Sequence, residues 1–305
     1  MRNPYYRAFS SYLRERFGEK VYRISLDAGF TCPNRDGTLG QNGCAYCSPP
    51  GSWNKTEETQ TLIDQVRRGK EIVRRRYKAH KFIAYFQAYT NTYSSAGNLK
   101  KIYDSVVLGD SDFVGLAIGT RPDCIDKDKL ELISSYREKG LEVWIEYGLQ
   151  SANNSTLALI NRGHCAEDFS KAVYKTKKYN ILIGAHVILG LPCEKRNDMI
   201  RTAQFLAGLP VDGVKIHNLN IVKNTKVADM YYKGEIKPLS LQEFAQLAVD
   251  FLEYTNPDVI VERIVAESNP LSLIEPKWSL NKQAAISEVI EEFKRRNSYQ
   301  GKLYH

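Results

Sequence analysis

The sequence predicts an α/β fold of parallel strands curled into a partial (β/α)6-type TIM barrel with a C-terminal extension. Six short apolar, β-rich runs carry that expectation: VYRISL near the N-terminus, then FIAYFQ (82–87), FVGLAIG (113–119), LEVWIEYGL (141–149), IGAHVILGL (183–191) and GVKIHNLNI (213–221). Most successive runs begin roughly thirty residues apart, the length of a βαβ unit. Between them lie helix-like segments at 58–79, 97–108, 126–138, 166–178, 195–208 and 240–253. Strands this continuously apolar need cover on both faces, which alternating helices supply in a parallel sheet. VIVERI (259–264) offers a seventh strand. The expected division is a barrel core with a short N-terminal segment over 1–225 and a helical and strand extension packed on it over 226–305.

Composition narrows the class. The chain has 305 residues, 43% of them apolar, enough for one large domain with a modest appendage. No run approaches the ~18 apolar residues of a membrane span, and the N-terminus lacks the apolar core of a secretory signal, so a cytoplasmic protein with no membrane partner is expected. Net charge is +8. One basic group runs through Arg67, Arg68, Lys70, Arg74, Arg75, Arg76, Lys78 and Lys81, and a second through Lys171, Lys175, Lys177 and Lys178. Each reads either as a solvated helix face or as a surface for nucleic-acid phosphates.

Three of the six cysteines, Cys32, Cys44 and Cys47, crowd into sixteen residues directly after the first strand. Three thiolates are soft ligands suited to zinc or to an iron–sulfur cluster. A closed zinc site wants four ligands, and no fourth Cys or His lies nearby in sequence. A zinc knuckle completed from afar stays open as an alternative. A cubane on three cysteines leaves one iron without a protein ligand, where a small molecule can coordinate. Gly37, Gly40 and Gly43 would let the backbone turn tightly around an inorganic core.

Cys-x-Φ-Cys after the first strand of such a barrel resembles the radical S-adenosylmethionine (SAM) superfamily. The spacing departs from that superfamily's commonest Cys-x3-Cys-x2-Cys, because eleven residues separate Cys32 from Cys44; longer spacings of this kind occur in the Elongator catalytic subunit and its bacterial relatives. LDAGFTCPNRDGTLGQNGCAYC, YFQAYTNTY, GTRPDC, EYGLQS, INRGH, HVILGLPCE, VKIHNLNIVKNT and RRNSYQGK resemble, in order along nearly the whole chain, the bacterial YtqA/YhcC-type radical enzymes.

The resemblance implies a [4Fe–4S] cluster on Cys32, Cys44 and Cys47, S-adenosyl-L-methionine as cofactor, and a low-potential electron donor such as flavodoxin or ferredoxin. Tyr46 lies within the cluster motif and is assigned to the cofactor with it. The turn carrying Gln87, Thr90, Asn91 and Thr92 would meet the amino group of the methionine moiety, and Thr120 or Asp123 would lie near cofactor or substrate, unless Asp123 simply pairs with Arg121. Gly-Leu-Gln resembles a Gly-Val-Gln of the oxygen-independent coproporphyrinogen dehydrogenases, which assigns ribose and carboxylate contacts to Gln150 and Arg162. His186 would meet the ribose, Ile188 would cover the adenine and Gly190 would admit close approach. His217 and Asn218 in the sixth strand point to the cavity if the register turns them inward. Cys124 reads equally as a buried thiol or as a thiol in the cavity.

For the substrate, the resemblance to Elongator-like and MnmL-type enzymes implies tRNA, with 5-carboxymethylaminomethyl-uridine converted to 5-aminomethyl-uridine at the wobble position. Arg76-Tyr77-Lys78 and Lys294-Arg295-Arg296 would track phosphates. Two other readings remain: a radical SAM enzyme acting on a small molecule or protein, and a non-catalytic zinc-binding RNA adaptor.

Overall fold

A computed structural model describes residues 3–48 and 61–304. The first residues of the expected 58–79 helix lie outside these. Helix α1 (Phe9–Phe17) precedes β1 (Val21–Leu26), and then helices and strands alternate: α2 (Leu62–Tyr77), β2 (Lys81–Phe86), α3 (Ala96–Val107), β3 (Phe113–Thr120), α4 (Lys127–Glu138) and β4 (Glu142–Gln150). The alternation continues through α5 (Asn154–Leu159), α6 (Ala166–Lys177), β5 (Leu182–Leu189), α7 (Arg196–Ala207) and β6 (Gly213–Asn218). Beyond it come β7 (Ile221–Val222), α8 (Lys226–Tyr232), α9 (Leu241–Glu253), β8 (Ile260–Arg263), β9 (Leu273–Glu275) and α10 (Lys282–Arg295).

Among the described residues, seven strands form one sheet in the order β1-β2-β3-β4-β5-β6-β8, every neighbour parallel. The VIVERI segment supplies that seventh strand. Every residue of β4 is buried, as a central strand covered on both faces requires. Helices begin where a side chain can take the first free N–H groups. Thr61, Ser95, Asp126 and Ser240 each accept from the backbone N–H three residues on. No helix is long and apolar enough to cross a membrane among the described residues.

The barrel does not close on itself, and the N-terminal segment bridges the gap between β1 and β8. Val261 N donates to Arg7 O at 2.8 Å, and α1 plugs the N-terminal end of the barrel. Leu13 packs there against Val21, Ile83, Trp144 and Ile260. Trp144 Nε1 donates to Glu142 Oε1 at 2.9 Å and Tyr12 OH to Glu142 Oε2 at 2.9 Å, so the polar ends of the plug are satisfied. With that end sealed, the loops at the C-terminal ends of the strands are where a ligand can enter.

Candidate active site

The loop after β1 is a tight turn pinned to its neighbours. Cys32 O accepts from Arg35 N at 2.8 Å and Asp36 N at 3.2 Å, and Gly37 and Gly43 take left-handed φ of 94° and 67°. Ala45 N donates to Ile160 O (2.8 Å), and Ala45 O accepts from Val227 N (3.0 Å), so the loop is clamped between the end of α5 and the start of α8. Asn161 Nδ2 donates to Gly43 O at 2.7 Å. Arg162 Nη1 lies 3.5 Å from Cys44 Sγ and Asn34 Nδ2 3.7 Å from it. Burial would raise the Cys44 thiol, but Arg162 and Arg121 outweigh burial and hold it below its ordinary value. Burial pushes the Cys47 thiol up, against the pull of Arg35, which donates to Cys47 O at 2.9 Å.

Cys32, Cys44 and Cys47 share the wall of one cavity of about 310 Å³ at the C-terminal ends of the strands. Among the described residues, no three of His, Cys, Asp and Glu converge on a single ion. A cubane takes each thiolate on a different iron and does not require that convergence. Three soft donors around one cavity, with guanidinium groups beside them, suit such a cluster.

The remaining wall gathers most of the residues singled out from the sequence. Tyr46, Gln87, Thr90 and Thr120 lie on it, as do Gln150, Arg162, His186 and Ile188. The hydroxyl of Thr90 is buried and has no hydrogen-bond partner among the described residues, an open position for a polar ligand group. Gln150 holds a left-handed φ of 74°, a strained state for a residue with a Cβ, and it holds it on the cavity wall. The donor set and the orphaned hydroxyl fit SAM beside a cluster. His217 and Asn218 are on the wall too, so the register of β6 does turn them inward.

Other residues singled out from the sequence lie off this wall or are held by contacts within the protein. Asn91 is fully buried off the wall: its Nδ2 donates to Gly119 O at 2.9 Å and its backbone carbonyl accepts from Tyr103 OH, so it pins the loop after β2. Its Oδ1, like the Thr90 hydroxyl, has no hydrogen-bond partner among the described residues. Gly190 is off the wall as well; it takes φ 86° where β5 ends, and a Cβ there would sit 2.8 Å from Leu239 Cδ1. Asp123 pairs with Arg121 at 2.8 Å, and Arg121 is the member of that pair that reaches the cavity. Thr92 bonds the Thr120 hydroxyl at 2.6 Å. Cys124 is buried away from the wall, its thiol pushed up to about 12 by burial. Arg162 has three of its N–H groups directed at protein acceptors, Nε and Nη2 at Gly148 O and Nη1 at Cys44 Sγ. Gly148 makes this approach possible, since a Cβ there would lie 2.6 Å from Arg162 Nη2.

Below the cysteines the barrel holds a layer of buried charge that sequence reasoning missed. Glu146 on β4 lies at its centre: Oε1 pairs with Arg23 at 2.7 Å, and Oε2 accepts from Tyr85 OH at 2.7 Å and pairs with Lys215 and with His186 Nε2, the latter at 2.6 Å. Arg23 also pairs with Glu262 at 2.6 Å. Against the cost of burial, Arg23 and Lys215 hold the Glu146 carboxyl well below its usual range. Burial lowers Lys215 to about 8 and His186 to about 4, and it raises Glu262 to about 7. A signal was present, because Arg23, Glu146, Lys215 and Glu262 all interrupt apolar strands, where an ionisable residue needs a partner.

The later members of the first basic group sit away from this face, whereas Arg67 and Arg68 lie in the first half of α2, near the end of β1, where Gln65 bonds Asp27. The end of α2 lies at the opposite edge of the sheet: Lys20 Nζ, just before β1, donates to Tyr77 O at 3.2 Å, and Arg74 pairs at 2.6 Å with Asp112, just before β3. Lys70 is buried and paired with Asp110 and Asp112. Lys177 pairs at 2.7 Å with Asp212, just before β6. Of the C-terminal trio, Lys294 pairs with Glu291 at 2.6 Å, Arg295 with Glu288 at 3.5 Å and Arg296 with Asp250 at 2.6 Å. On the cysteine face, by contrast, α8 and its flanks expose Lys223, Lys226, Lys233 and Lys237.

Comparison with known proteins agrees with this geometry. Residues 37–206 match the radical SAM superfamily model and residues 211–295 the radical SAM C-terminal domain. The YtqA protein of Bacillus subtilis is 40% identical over 98% of this chain and 92% of its own length. A tRNA uridine(34) acetyltransferase of Methanocaldococcus infernus is 29% identical over 145 residues, 46% of this chain and 26% of that protein. The solved archaeal Elp3 of Methanocaldococcus infernus superposes with a TM-score of 0.68 at 18% identity, covering 92% of this chain and 64% of that one. The chain thus belongs to the radical SAM superfamily, whose enzymes use a [4Fe–4S] cluster and SAM.

Proposed function

We propose that this enzyme modifies the side chain of a wobble uridine in tRNA, converting 5-carboxymethylaminomethyl-uridine to 5-aminomethyl-uridine. The observation that carries the reading is the rim of the cavity. α8 starts against the cysteine loop through the Val227–Ala45 hydrogen bond and exposes Lys226, Lys233 and, at 71%, Tyr232, cations for phosphates and a ring for base stacking. The partial match to a tRNA uridine(34) acetyltransferase supports the same substrate class.

In this reading Cys32, Cys44 and Cys47 would hold the cluster, and Thr90, Gln87 and Gln150 would bind and orient SAM in the cavity beside it. When bound, the pair supplies an electron to the sulfonium and a carbon radical that takes hydrogen from the substrate. Arg162, fixed by Gly148 O, lies beside Cys44 Sγ and favours its thiolate over the thiol. The plug of α1 and the Glu146 layer close the floor and keep water out from below. Flavodoxin or ferredoxin serves as the electron donor. Mass spectrometry of tRNA nucleosides from cells lacking the gene tests the reading: 5-carboxymethylaminomethyl-uridine should accumulate and 5-aminomethyl-uridine and its descendants should fall. An unchanged nucleoside profile would overturn it.

A further inference from the structure

The cavity has a second wall, formed by β6, β8 and the segment after β8, that none of the cofactor assignments uses. Its geometry begins with an irregularity in β8. Val214 pairs with Val261 and Lys215 with Arg263, so Glu262 is an extra residue opposite β6. Such a bulge re-aims side chains. Here two successive residues reach the barrel interior: Glu262 to Arg23 at 2.6 Å, and Arg263 to the cavity wall.

Arg263 differs from the other cations on that wall. Arg121 has Asp123, Arg162 has Cys44 and Gly148 O, and Lys215 has Glu146. The guanidinium of Arg263 makes no ion pair or hydrogen bond among the described residues. Glu267, an acid on the same wall, is paired with Lys282 at 3.4 Å. Beside Arg263, His217 Nε2 is shielded from solvent with no hydrogen-bond partner, its ring 5.3 Å from that of His186. A cation and a shielded ring nitrogen, both lacking an acceptor on one wall, form a site that an anion from outside completes.

We propose that Arg263 and His217 bind a carboxylate carried by the substrate. A planar guanidinium matches both oxygens of a carboxylate, and His217 in its Nε2–H tautomer donates to one of them. The position inside the barrel, at the C-terminal end of β8, suits a group on a side chain reaching in rather than a backbone phosphate held at the rim. The proposal rests on the tRNA reading above, in which the substrate side chain ends in a carboxylate that the product lacks.

The test compares the holoenzyme's affinity for tRNA bearing 5-carboxymethylaminomethyl-uridine with its affinity for the same tRNA bearing 5-aminomethyl-uridine. The wild type should prefer the first by about tenfold or more, the scale of one charge-assisted contact. Arg263→Gln should bring the ratio near one, and Arg263→Lys should restore part of it. Taking a ratio cancels the general loss of phosphate attraction. Equal wild-type affinities, or a preference undiminished in Arg263→Gln, overturn the proposal and leave the tRNA reading standing. Binding of neither tRNA overturns both. SAM carries the competing carboxylate, so SAM affinity by equilibrium dialysis is the second arm: a tenfold loss in Arg263→Gln places the guanidinium on the methionine moiety and overturns the proposal.

Discussion

Replacing Glu146 with Gln removes the charge that compensates the interior of the barrel while nearly conserving shape. The carboxylate is fully enclosed and meets Arg23 at 2.7 Å, Tyr85 at 2.7 Å and His186 at 2.6 Å, with Lys215 paired to the same oxygen as the last two. Without it, Arg23 keeps Glu262, but Lys215 is left buried without its ion-pair partner, with Glu262 only a more distant charge. Breaking a buried pair by removing one partner costs roughly 3–5 kcal/mol, most of it the penalty of the stranded charge. At the ~2 °C per kcal/mol of a large chain, the thermal midpoint should drop by about 6–10 °C. Circular dichroism melts and urea titrations of wild type, Glu146→Gln and Glu146→Gln/Lys215→Met measure this. The double variant should recover half or more of the loss, because it no longer strands an ammonium. A single variant within about 1 kcal/mol of wild type would refute the reasoning, since the layer would then be solvated rather than mutually compensated.

Glu262 has its carboxyl raised to about 7 by burial, so the folded state holds a proton that the unfolded chain releases near its ordinary, lower value. Stability should therefore fall as pH rises from about 4.5 towards 7, and Glu262→Gln should flatten that part of a urea-midpoint profile. Gly148→Ala would place a Cβ 2.6 Å from Arg162 Nη2 and displace it from Cys44; iron and sulfide assays after anaerobic desalting should show a more labile cluster than in wild type. Neutralising Lys226, Lys233 and Lys237 together should weaken tRNA binding and flatten its salt slope by up to about two units, at roughly 0.7–0.9 for each phosphate that the protein no longer neutralises. Neutralising Arg75, Arg76 and Lys78, at the opposite edge of the sheet, should change the slope by much less, and the reverse ranking would return the footprint to α2.

Much of the barrel was legible because its strands are continuously apolar and its helices carry side-chain caps. The segment 166–178 is α6 at 166–177, and 240–253 is α9 at 241–253 with Ser240 as its cap. Helix α1 was not legible: FSSYLRERF is short and polar, and its helical state follows from docking Leu13, Phe9 and Tyr12 on the barrel end. Single-sequence spacing placed the cysteines and most of the wall, since each motif ends a strand of one parallel sheet. Asn91 and Gly190 lie off the cavity wall, because a loop residue's direction depends on neighbours such as Tyr103 and Leu239 that lie distant in sequence. The basic runs stayed open between two readings for a related reason. Composition reports charge, but whether the charge faces the site depends on which end of an antiparallel helix carries it, and α2 spans roughly 24 Å from one edge of the sheet to the other.

The account stands most directly on the metal content of anaerobically reconstituted protein. Wild type should hold about four irons and four sulfides per chain with broad thiolate-to-iron absorption. Cys32→Ala, Cys44→Ala and Cys47→Ala should each lose them, whereas Cys165→Ala, at the start of α6, and Cys193→Ala, exposed beyond β5, should keep them. Zinc without sulfide in the wild type, or equal loss of iron in the Cys165 or Cys193 variants, would contradict the assignment of the cluster to the loop after β1.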